Sequence, residues 1–180
     1  MKSCGPCNLY CEVLQVESLA KPPGRWCRHT AAGAGCGIHG DHPADCRAFA
    51  CGWLQWSELG EAWRPSTAGF LIRSEPGQGR LCIDVDPDRP DAWRAAAYYR
   101  TIKGWSGQVR DRTGCVLVHV DARCTVVFPE EDIEIGDLGQ EEELVVGYLK
   151  ARTWRRPLVR RLVRGQIAGE WRGAWIGEGD

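Results

Sequence analysis

Residues 69–86 read GFLIRSEPGQGRLCIDVD, two runs of alternating apolar and polar residues parted by Pro76, Gly77 and Gly79. Period-two alternation broken by Pro and Gly is the pattern of a β-hairpin with a longer loop, so two strands are expected here. Downstream, RPDAWRAAAYYRTIKGWSGQVRD (89–111) sets Trp93, Ala96, Ala97, Arg100 and Ile102 at helical spacing, with Asp91 placed to cap and Gly104 and Gly107 expected to break the run. CVLVHVDARCTVVF (115–128) reads as a second hairpin turning near Asp121 and Ala122, and EELVVGYL (142–149) as a strand or a short helix. The combination predicts an α+β fold. No internal repeat is found.

Upstream, residues 1–66 are rich in Cys, Gly and Trp and poor in periodicity, which implies loops and short helices organised around something other than apolar stripes. One helix is expected in DHPADCRAFACGWL (41–54), capped by Asp41 or His42, with Pro43 in its first turn and Gly52 at its end. SELGEAW (57–63) adds a short turn. Three regions follow: a cysteine-cluster metal-binding domain over 1–66, an α+β region of hairpins and a crossing helix packed on it over 67–150, and a basic, Trp- and Gly-containing tail over 151–180. Pro157 and five glycines from 165 onward predict that the tail is loosely held.

A chain of 180 residues can bury a core without crosslinks, so its ten cysteines need another explanation. Seven of them, Cys4, Cys7, Cys11, Cys27, Cys36, Cys46 and Cys51, fall in the first 51 positions. MKSCGPCNLY lacks the apolar stretch and cleavage site of a secretory signal, and a cytoplasmic location is expected. In a reducing compartment clustered thiols point to metal binding or catalysis rather than disulfides. No apolar run approaches a span of roughly 20 residues, so no membrane is expected. The formal charge of −1 conceals PEEDIEIGDLGQEEEL (129–144) followed by KARTWRRPLVRRLVR (150–164). The basic block is expected to lie against the acidic stretch from Glu130 to Glu143, and nucleic acid is not expected as a partner, because no recognised binding module accompanies the patch.

The cysteine spacing is C-x2-C-x3-C-x15-C-x8-C-x9-C-x4-C. Its first element is a knuckle that lets two thiolates reach one cation. Structural zinc usually shows two such knuckles and takes four tetrahedral ligands. Iron–sulfur ligation tolerates three close cysteines with remote partners, and CGPCNLYC fits it at least as well. Seven thiols exceed four, which leaves room for a second metal, a shared ligand or a spare redox thiol. His29, His39 and His42 can each complete a coordination sphere. Cys46 and Cys51 sit about 140° apart on an ideal helix, so both reach one centre only if the helix ends before Cys51. Lys21, Arg25, Arg28 and Arg47 can offset thiolate charge, and Trp26, Phe49, Trp53 and Trp56 can exclude water. The alternative, that these cysteines are inert buried hydrophobes, suits Cys82 but not a cluster at knuckle spacing.

CGPCNLYC, then WC, then GAGCGIHGDHPADCRAFACGWL together resemble the YkgJ-type cysteine-cluster family, described as zinc- or iron-chelating and related to a domain of flagellin lysine methylases. The family pattern runs C-x2-C-x2-C-C, a middle cysteine, a G-C-x-h-Y-x-x-R-P-x-x-C-R-x-F block and a final cysteine. The seven N-terminal cysteines take those positions here, over about a third of the chain. Tyr10 stands in place of one cysteine, His39 in place of the tyrosine, and His42 in place of the arginine before Pro43. The resemblance implies a metal site and leaves the reaction open, with Tyr10 either a phenolate ligand or a vacated position. The expectation is a metal-binding protein holding an iron–sulfur cluster or iron, or else Zn2+, with redox or metal-dependent modification as its activity. A zinc-stabilised structural or interaction module is the alternative.

Elsewhere, Cys115, Leu117 and His119 share a strand face that the turn brings opposite Cys124. Half-buried thiols and a satisfied or exposed histidine are expected there rather than a nucleophilic pair. The acids of IDVDPDRPD (83–91) lack the glycine and distal glutamate of a calcium loop and are expected to cap or solvate. No phosphate loop, dinucleotide fingerprint or nucleophile elbow is present.

Overall fold

The computed structural model of the chain describes residues 2–4, 7–31, 35–110, 114–139, 142–150, 155–163 and 175–176. The N-terminal region is built from short pieces: α1 (Tyr10–Val13), the two-residue strands β1 (Thr30–Ala31) and β2 (Gly35–Cys36), α2 (Ala44–Ala48), α3 (Gly52–Gln55) and α4 (Pro65–Ala68). The single helix expected between Asp41 and Gly52 is two. α2 follows Pro43 and stops at Ala48, Phe49 is extended, and Cys51 precedes α3, so Gly52 opens a helix instead of closing one. Close packing explains the residue: a Cβ at position 52 would lie 3.2 Å from the Cβ of Ile72. The turn expected in SELGEAW is a 3-10 turn at Glu61–Trp63. Gly69, at φ 80°, ends α4 in the left-handed region that favours glycine.

The expected hairpin forms from β3 (Phe70–Glu75) and β4 (Arg80–Val85), with a 3-10 turn at Pro76–Gln78 filling its loop. The crossing helix is α5 (Ala96–Arg110). Asp91 precedes a separate 3-10 turn, Ala92–Arg94, and makes no side-chain capping bond, so it does not cap α5. Gly104 and Gly107 lie inside α5, and the expected break is absent. Ile102 and Ser106 are buried on the packed face, and that packing outweighs a propensity cost of roughly 1 kcal/mol per glycine. β5 (Cys115–Val120) and β6 (Arg123–Val127) form the second hairpin around Asp121 and Ala122, and β7 (Asp132–Asp137) extends it.

These strands make one sheet in the order β3-β4-β5-β6-β7. Only β4 and β5 run parallel, which requires a long crossover, and α5 supplies it. Alternation sends Phe70, Ile72, Ile83, Val116 and Val118 into a core shared with α5 and with Leu9, Val13 and Trp53 of the N-terminal region. Cys82, Leu117, Cys124 and Val126 enter a second core on the opposite face. The α+β class is thus observed, with the cysteine-bearing pieces packed along the β3 side.

The second core is covered by β8 (Glu142–Lys150) and β9 (Arg155–Val163), joined by β10 (Trp175–Ile176) in a three-stranded sheet. The basic segment is therefore not loosely held over 155–163. It pairs antiparallel with β8, and it buries Val159 completely. Pro157 is accommodated opposite Tyr148 within that ladder. Arg161 lies 2.6 Å from Glu142, so base meets acid in one chain as expected. Trp154, Arg164, Trp171 and Arg172 lie outside the described residues. Among the described residues no helix is long and apolar enough to cross a membrane.

Candidate metal centre

Short backbone hydrogen bonds collect the cysteines. Cys7 N–H donates to the Cys4 carbonyl at 3.0 Å, closing the knuckle, and the Cys4 thiol reaches the Cys7 carbonyl at 3.2 Å. Cys27 N–H donates to the Cys11 carbonyl at 2.8 Å, Thr30 N–H to that of Cys27 at 2.9 Å, and Thr30 pairs with Cys36 across β1 and β2. Cys46 sits on α2, which is anchored when Ser18 Oγ donates to Asp45 at 2.8 Å. That bond holds the Asp45 carboxyl below its usual range. Because the helix stops at Ala48, Cys46 and Cys51 both reach the same space.

All seven cysteines line one cavity of about 280 Å3. Cys27 and Cys51 are buried, Cys7, Cys11, Cys36 and Cys46 half-buried, and Cys4 is exposed at the rim; every one is a free thiol. Desolvation, then Cys7, Cys51 and Cys11, push Cys4 up to about 11. Burial likewise raises Cys11, which also feels Cys27, Cys36 and Cys46, and it raises Cys46, which feels Cys27 and Cys36. Cys51 is raised by burial and by Cys7, against the N–H groups of Leu54 and Trp53 that favour its thiolate.

The histidines divide. His39 and His42 line the cavity, their rings stacked with centroids 5.0 Å apart. His42 Nδ1 accepts a hydrogen bond from Gly40 N–H at 3.0 Å, which in the neutral ring places the proton on Nε2 and leaves no free lone pair for a metal. His39 has no such commitment. His29 does not line the cavity; its carbonyl accepts from Gly37 N–H at 2.7 Å.

Tyr10 stacks on Phe49 with centroids 4.4 Å apart, and its hydroxyl lies beside Cys46. Burial, then the neighbouring Cys46, shift Tyr10 strongly toward its neutral form. A phenol held neutral in this way is poorly suited to coordinate as a phenolate. Of the expected cations, Lys21 is buried and acts on Cys11 and Cys27, Arg47 lines the cavity, and Arg25 and Arg28 are exposed. Of the expected shielding aromatics only Phe49 lines the cavity: Trp53 belongs to the sheet core, Trp56 packs edge-on against Trp105, and Trp26 is 53% exposed. Shielding comes instead from Val16, Leu19, Ile38, Leu54 and Leu71. Leu71 was beyond a reading of the cysteine segment alone, because the β3 edge supplies it.

The size of the cavity tests what it suits. A single tetrahedral zinc at roughly 2.3 Å from each sulfur would hold its ligands about 3.8 Å apart. Among the described residues no three Cys or His ligand atoms lie within 4.8 Å of one another, the one such trio being carboxylates. The thiols that line the cavity are thus not drawn together at the spacing of tetrahedral zinc ligands. The chain was compared with family models, curated proteins and solved structures. It matches none of them.

The second thiol group behaves as inert. Cys82, Cys115 and Cys124 are buried, and burial raises all three, Cys115 to about 11 and Cys124 to about 12. His119 pairs in register with Cys124, and burial lowers its proton affinity while raising that of the thiol, which disfavours a thiolate–imidazolium pair.

Proposed function

We propose that this chain is a metal-binding protein whose N-terminal cysteines hold an iron–sulfur cluster or iron, with redox chemistry or metal-dependent modification as its activity. The observation that carries the reading is the convergence of seven thiols from five separate segments on one apolar-walled cavity of about 280 Å3. Inert cysteines have no reason to converge. Clustered thiols that raise one another's pKa gain stability when a cation replaces their protons, so metal binding is coupled to folding and releases protons. Lys21 and the Tyr10 hydroxyl beside Cys46 are placed to stabilise sulfur-borne charge, as outer partners do in metal sites. When bound, an iron–sulfur group would supply one-electron chemistry. The resemblance to YkgJ-type proteins supports the same residues.

The knuckle closed by the Cys7 N–H bond to the Cys4 carbonyl favours one second reading: zinc held by these thiols, making a structural or interaction module. Anaerobic purification with metal analysis and a visible spectrum separates them. Brown protein with iron and acid-labile sulfide is the expected result. Colourless, redox-inert protein with stoichiometric zinc would replace the first reading by the second.

A further inference from the structure

α1 places Glu12 against the loop that follows β4, where Asp86 and Asp88 flank Pro87. One carboxylate oxygen from each of the three lies within 4.8 Å of the other two. Oxygens bound to one Ca2+ at 2.3–2.6 Å are at most about 5 Å apart, so the spacing is that of ligands around a single ion. Glu12 is only 6% exposed, and its carboxylate makes no hydrogen bond or ion pair among the described residues. The Lys21 ammonium beside it is committed to the backbone carbonyls of Glu12 and Leu14. The Lys21 charge offsets that of Glu12 only in part, because Asp86 and Asp88 bring two further carboxylates to the same place.

Asp86 is held in place for a ligand. Its Oδ1 accepts from Asp88 N–H at 2.9 Å and its Oδ2 from Arg89 Nε at 2.9 Å, and each oxygen retains a further lone pair. Asp88 is exposed and leaves one side open to water, which would complete the coordination. An all-oxygen set selects hard cations and does not compete for the soft metals that thiols bind. Its irregular arrangement suits Ca2+ better than Mg2+, which demands near-octahedral geometry.

We propose that Glu12, Asp86 and Asp88 form a Ca2+ site that fastens the cysteine-bearing region to the sheet. The site is independent of what the cysteines hold. The full chain, with its cysteine-bound metal retained and Ca2+ removed on a chelating resin, is titrated calorimetrically with Ca2+, Mg2+ and Mn2+ while its absorbance and melting temperature are followed. One Ca2+ per chain with a rise in melting temperature is expected. Asp88→Asn, an exposed change that leaves the core untouched, weakens binding by at least about 10-fold. Glu12→Gln abolishes it, and in Ca2+-free buffer this variant melts higher than the parent because a buried repulsion is gone. No heat and no thermal shift at millimolar cation would overturn the site. Binding undiminished in both variants would place the ion elsewhere, and preference for Mg2+ over Ca2+ would overturn the choice of ion.

Discussion

Tyr10 and Cys82 show how differently two residues with acidic protons serve this chain. Tyr10→Phe removes the hydroxyl beside Cys46 and keeps the ring on Phe49, so metal content should hold while the visible spectrum or midpoint potential of the centre shifts. Loss of metal in Tyr10→Phe would instead identify a phenolate ligand. Cys4→Ser and Cys7→Ser should lower metal content, whereas Cys82→Ser should keep the metal and lose about 1–3 kcal/mol of stability, because it buries a hydroxyl in a site only 1% exposed. Metal analysis beside a denaturant melt distinguishes the two kinds of cysteine. That the seven N-terminal thiols gather was legible from their spacing, because a knuckle is a local device, and all seven line one cavity. His42 was not: its Nδ1 is occupied by Gly40 N–H, a loop hydrogen bond that spacing does not encode.

At the scale of elements, the second face of the sheet carries Cys82, Cys115 and Cys124 in adjacent strands, all with raised pKa values. A thiol whose pKa in the folded chain exceeds the unfolded value near 8.5 contributes stability that is full below that pH and is lost as pH rises toward the folded value. Urea melts should therefore show stability falling between about pH 8.5 and the values near 11 and 12 of Cys115 and Cys124. Cys124→Ala should flatten that slope; an unchanged slope would mean that other groups set the alkaline limit. Both hairpins were legible from alternation and turn residues. β7 and β9 were missed because their apolar residues are interleaved with charges, Asp132 and Glu134 in one and a run of arginines in the other, and the chain reads as a charged block until a partner strand fixes its faces. The break expected at Gly104 and Gly107 failed because α5 is held by tertiary packing rather than by propensity.

For the whole molecule, the C-terminal segment matters more than its composition suggests. β9 buries Val159 over Leu144 and Val126, so a chain ending at residue 150 should keep its metal yet bind a hydrophobic dye and melt well below the parent. Full-length-like melting of that truncation would show that the second sheet contributes little. The α+β class could be read from the sequence because its strands and helix carry different periods; the closing of two cores by segments far apart in the chain could not. The lone parallel junction in the sheet bears on how the chain finds its structure. Each hairpin can close within microseconds from neighbours in sequence. β4 and β5 cannot pair until the stretch containing α5 has folded back across them. The pairing of β4 with β5 is then expected to limit refolding, and stopped-flow refolding should show substitutions that loosen α5 against β5 slowing the chain more than those within either turn.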